Sequence, residues 1–189
     1  MPITPPGLTA TITGGLLSAG MLGIAVPQLA AGIANGVSIW LPTVTVMTVD
    51  AGVLGAGVGV LPFVVPLPLV LSSLMTAYAA NGQLGVMAPL EASGLANGLV
   101  LGFLQGLIVT THPGVGVGVG VARLLGPPAF PSLMQGFASA GITGQGAVLK
   151  ANAISMAFDM IFAVYVTPIP IVGSVSPFPA GGAGFGNIL

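Results

Sequence analysis

Hydrophobic positions dominate the chain, and their arrangement changes character along it. Three short apolar stretches (8–19, 69–80 and 131–140) are rich in Leu, Ala and Met, lack strict alternation and each run into a glycine turn: "SAGMLG", "AANGQLG" and "SAGITG". Leu/Ala/Met content without a period of two predicts helices of about three turns. A longer apolar segment follows each turn (27–49, 89–111 and 147–166). In the first two it carries Pro near its first turn, where the missing N–H costs nothing. At 1.5 Å rise per residue such a helix spans roughly 30–35 Å, the thickness of a bilayer core. Pro42 and the Thr/Val alternation of "WLPTVTVMTV" favour a kink or strand. The counterpart "FLQGLIVTT" keeps helical character, so helix is the expectation for both.

These segments recur in register. "GMLGIAVPQLAAGIANGV" (20–37) and "GQLGVMAPLEASGLANGL" (82–99) are identical at nine of eighteen positions at a shift of 62, including Pro27/Pro89 and Asn35/Asn97. Biased composition supplies glycines, but not Pro and Asn in register as well. "SLMTAYAANGQLG" (73–85) resembles "SLMQGFASAGITG" (132–144) at a shift of 59, with Tyr78 replaced by Phe137. The expected fold is mainly α: a single domain of three tandem helical-hairpin repeats of about 60 residues, 5–61, 67–122 and 127–179, followed by a Gly-rich tail, 180–189. Three hairpins joined by short Pro-rich links suggest a pseudo-threefold bundle, with a linear stack as the alternative. Gly32/Gly36 and Gly94/Gly98 have the small-xxx-small spacing of close helix packing.

Each unit closes on an extended segment. "GVLGAGVGV" in unit one answers "THPGVGVGVGVARLL" in unit two. Alternating Gly and Val in extended form puts valines on one face and bare backbone on the other. The run is not a Walker A loop, because no Lys follows, and it lacks the third Gly and the acidic residue of a dinucleotide fingerprint. Unit three substitutes "TPIPIVGSVSP", whose prolines predict an edge strand.

Charge sharpens the picture mainly by its absence. Charged residues make up 3% of the 189 residues, and mean hydropathy is +1.10. A soluble monomer relies on a charged surface to stay dispersed, so most of this surface is expected to face protein partners, lipid or both. Two basic residues exclude nucleic-acid binding by phosphate neutralisation. The start "MPITPPG" has no basic region, so no secretory signal peptide is expected.

The few ionisable residues fall at repeat-equivalent places. Asp50 and His112 both end the long segment, and Glu91 and Lys150 both lie near its start. Units around a common axis would let Glu91 meet Lys150 and Asp50 meet His112. Asp159, alone in mid-segment, is costly against lipid and is expected in the bundle interior, a lumen or a subunit contact. No nucleophile elbow occurs, and one His with scattered carboxylates falls short of a metal site. Neither catalysis nor a cofactor is expected. The expected function is a hydrophobic structural subunit of a large, symmetric assembly, such as a virion, phage tail tip or injection apparatus, able to penetrate a membrane. The alternative is a small membrane channel or carrier of helical hairpins. Its location is accordingly a virion, an extracellular assembly or a membrane.

Overall fold

A computed structural model describes the backbone of residues 4–43, 45–51, 56–60, 66–104, 107–111, 117–125, 129–164, 170–174 and 182–187, and the side chains of 4–41, 43, 66–104 and 129–159. The chain is mainly helical. Helices α1 (Pro5–Ser18) and α2 (Ala25–Trp40) lead through a short 3-10 turn (Leu41–Thr43) into strands β1 (Thr45–Ala51) and β2 (Ala56–Val60). Helices α3 (Leu67–Ala80) and α4 (Met87–Leu104) precede β3 (Leu107–Thr111) and β4 (Val117–Leu125). Helices α5 (Ala129–Ser139) and α6 (Gln145–Val164) precede β5 (Pro170–Ser174) and β6 (Gly182–Asn187).

Each helix pair turns on two glycines in the left-handed region: Gly20 and Gly23, Gly82 and Gly85, Gly141 and Gly144. Only glycine adopts this conformation without strain. The hydrogen bonds repeat as well. The N–H groups of Met21, Gln83 and Ile142 donate to the carbonyls of Leu16, Tyr78 and Phe137, while those of Gly20, Gly82 and Gly141 donate to Leu17, Ala79 and Ala138. This is a Schellman ending, and it sends the following helix back alongside the first.

Every helix packs on its chain neighbours, and α6 packs on α1, so the six helices close into a ring. Glycines set the spacing. A Cβ on Gly36 would lie 2.7 Å from the Leu74 side chain of α3, and one on Gly98 would lie 2.7 Å from Leu133 Cα of α5. At Gly136 of α5 the added atom would meet backbone of Gly94 and Gly98 at 2.3 Å. Gly15 of α1 faces the carbonyl of Ala153 in α6 at 2.8 Å in the same way. The core lies among these helices, with Ile33, Leu95 and Ile154 buried, and Val37, Leu99 and Phe158 buried one turn further along the same helices. Each contributes on the order of 1.5–3 kcal/mol by leaving water. Trp40 meets Phe103 edge-on at 5.3 Å at the ends of α2 and α4.

The six strands form a closed antiparallel barrel in chain order, with β6 pairing back on β1. All strand ends that join helices therefore lie at one end of the barrel. Register puts Gly57, Gly59, Gly118, Gly120, Gly173, Gly182 and Gly184 on one face of the sheet and Val49, Val58, Val109, Val119 and Val172 on the other.

Three expectations are corrected. The long helices stop at Trp40 and Leu104, not at 49 and 111, because the β-branched runs beyond them enter the barrel, where cross-strand pairing outweighs the helical tendency of "FLQGLIVTT". Unit three has no edge strand: β5 pairs with both β4 and β6, and Pro170 is its first residue, where a missing donor is tolerated. The Gly-rich tail supplies β6, the strand that seals the barrel.

Gly98→Ala is expected to lower stability by roughly 1–3 kcal/mol, the cost of overpacking a rigid contact. Gly14→Ala on α1, where nothing lies within 4 Å of the added atom, is expected to be neutral or stabilising by up to about 1 kcal/mol. Denaturant unfolding of the two variants, side by side with the parent, checks the contrast.

Candidate functional site

The one ion pair that the sequence analysis anticipated and the described side chains contain is Glu91 with Lys150. Lys150 Nζ of α6 donates to Glu91 Oε1 of α4, the two side chains being 21% and 16% exposed. Helices α4 and α6 flank α5 without packing along each other, so the pair reaches across the ring near its turn end. At shifts of 62 and 59 the same position is Leu29, Glu91 and Lys150. Leu29 is buried. Two of these aligned positions thus hold an acid and a base, whose charges cancel in the pair.

Half-burial makes this pair more than a surface contact. An exposed pair contributes about 0–1 kcal/mol, whereas removing one partner of a buried pair costs about 3–5 kcal/mol. Tyr78 of α3 lies within the field of the Glu91 carboxylate. Its own burial first, and that charge second, push the phenol well above its ordinary value of 10.0. Tyr78 is therefore held neutral, and the folded state loses stability as pH rises beyond the ordinary phenol range.

The remaining candidates do not join this cluster. Asp50 lies in β1, where register flanks it with Gly57 and Gly182, but its side chain and all of His112 fall outside the described residues. Asp159 sits on the exposed face of α6 with Asn152 and Met156, not in the interior of the helical ring. The buried positions Ala151, Ile154 and Phe158 take the opposite face, so helical periodicity turns Asp159 outward. Partial burial pushes its carboxyl above 3.8. Gly32, Gly36, Gly94 and Gly98 all lie at close helix contacts, Gly32 against Tyr78 and Gly94 against Phe137.

A second feature escaped the sequence reading. The turn between α1 and α2 exposes Leu22 and Ile24 at 83% and 86%, and the turn between α3 and α4 exposes Leu84 and Val86 at 78% and 86%. The signal was present as aliphatics between and just after the paired turn glycines, yet an apolar turn is indistinguishable in sequence from an apolar core. Between the same two helices a cavity of about 160 Å³ opens beside Met75, Tyr78, Leu84 and Pro89. Its lining is almost wholly apolar. Comparison with known proteins yields no match to a family model, a curated protein or a solved structure.

Lys150→Met, which leaves Glu91 half-buried without its partner, is expected to cost about 1–3 kcal/mol, between the surface and buried limits. Glu91→Leu combined with Lys150→Leu, which replaces both charges by apolar side chains like Leu29 at the aligned position, is expected to recover most of that loss. Thermal unfolding of both variants checks the order; a double variant weaker than the single one would contradict it.

Proposed function

We propose that the protein is a non-enzymatic structural subunit of a large symmetric assembly, built as three tandem repeats (5–61, 67–122 and 127–179) around an approximate threefold axis. The observation that carries this reading is the character of the described surface. Its charged side chains are Glu91 and Lys150, which neutralise each other, and Asp159. Fourteen large hydrophobic side chains are exposed, Leu22, Ile24, Leu84 and Val86 the most. A surface of this kind is stable when covered and self-associates when bare.

The repeat reading draws on the three identical Schellman turns and the matching core levels, both spaced by 62 and then 59 residues. A single chain with threefold character suits the axis of an apparatus where symmetry steps down. The class of assembly we infer is a virion component, such as a phage tail tip or injection device. A small channel or carrier is disfavoured. Among the described residues only α4 is long and apolar enough to cross a bilayer, and it is packed between α3 and α5.

Expression alone, in detergent-free buffer, is expected to give large or insoluble self-associated species. Co-expression with the products of neighbouring genes is expected to give a soluble complex of fixed stoichiometry, read by light scattering with size exclusion. A monodisperse monomer that stays dispersed without partner or detergent contradicts the proposal.

A further inference from the structure

We propose that the turn end of the helical ring is a bilayer-contacting face, on which Leu22, Ile24, Leu84, Val86 and Met87 enter the interfacial region of a lipid membrane. This rests on the reading of the chain as a hydrophobic assembly subunit and adds which end meets lipid.

Four observations converge. The side chains of Leu22, Ile24, Leu84 and Val86 project almost fully into solvent, and Met87 beside them is 55% exposed. They stand on turns fixed by paired left-handed glycines and Schellman hydrogen bonds, so little ordering entropy is spent in presenting them. No charged residue occurs in 19–25, 81–87 or 140–146. The three turns also lie at the same end of the ring, because α2, α4 and α6 each run from a turn toward the barrel.

Shape and charge select lipid as the occupant. These aliphatics stand on two separate turns at one end of the ring, and a lipid interface accommodates each of them without a fixed complementary shape. A protein partner would instead be met by a continuous patch with a polar rim and hydrogen-bonding groups. Zwitterionic lipid carries no net charge and matches a face that carries none, so anionic headgroups add nothing. The third turn bears Thr143 and Gln145 where the others bear Leu22/Leu84 and Ile24/Val86, and both are exposed. Contact is therefore lopsided, with the first two turns entering deepest.

The chain contains no cysteine, so single thiols report cleanly. The full chain is synthesised cell-free with preformed phosphatidylcholine vesicles, and Leu84→Cys or Met156→Cys carries an environment-sensitive fluorophore. Met156 is 50% exposed on the flank of α6. The label at position 84 is expected to shift blue on vesicle addition, equally with and without anionic lipid and independently of salt, while the label at 156 does not. In flotation, Leu22→Asn with Leu84→Asn is expected to lower vesicle binding by roughly tenfold or more with unfolding temperature unchanged, because both side chains are exposed. Thr143→Leu with Gln145→Val is expected to raise it. Equal shifts at 84 and 156, binding that needs anionic lipid, or tip variants that bind like the parent each overturn the inference. Tip variants that abolish self-association without any vesicle binding overturn it in favour of a second copy as occupant. None of these outcomes bears on complex formation with partner proteins, which tests the subunit reading separately.

Discussion

The structure depends on how closely its helices approach one another. At Gly36 and Leu74, at Gly98 and Leu133, and at Gly136 against the backbone of Gly94 and Gly98, no Cβ fits without displacement. All three contacts join the second helix of one pair to the first helix of the next, and Gly15 against Ala153 does the same between α6 and α1. The closest approaches thus fall at the seams between pairs, which is why the helices form a closed ring instead of three loosely hinged hairpins. With backbones this near, medium-sized side chains such as Ile33, Leu95 and Ile154 fill the middle. Aromatic side chains pack at both ends, Trp40 against Phe103 at the barrel end and Tyr78 and Phe137 toward the turns.

A ring made this way leaves the strands little freedom. Each helix pair delivers a strand at the same end, and antiparallel pairing in chain order then closes six strands with β6 returning to β1. Closure removes the exposed edges that would make Gly/Val-rich strands hazardous. In a chain with so few charges to guard an edge, it is an economical solution. The Glu91–Lys150 pair adds a different constraint. It ties α4 to α6 across α5 and disfavours any helical register in which the acid or the base would be buried alone.

Much of the helical part was legible. The glycine turns and the Gly32/Gly36 and Gly94/Gly98 stripes are local signals, and the structure places all of them at turns or close contacts. The meeting of Glu91 with Lys150 followed from equivalent positions and opposite sign. Helix ends were not legible at 40 and 104, because "LIVTT" satisfies both helical and strand patterns until a partner strand exists. The closing role of Gly182–Asn187 was hidden for a related reason. A Gly-rich tail has no propensity of its own, and its pairing is set by β1 and β5, far away in sequence. Of the places expected for Asp159, the ring interior is not the one it takes, because cost against lipid says only where a carboxylate cannot be, not which helix face it occupies. The protruding Leu22, Ile24, Leu84 and Val86 were masked by a composition in which every segment is apolar.

The proposal on which the rest turns is that three like units close into one ring about a common axis. Spin-label distances between cysteines placed pairwise at positions 22, 84 and 143, which are exposed and repeat-equivalent, test it most directly in this cysteine-free chain. The account predicts three similar distances from the three pairs. A 22-to-143 distance about twice the other two would mean an open, linear stack and would contradict it.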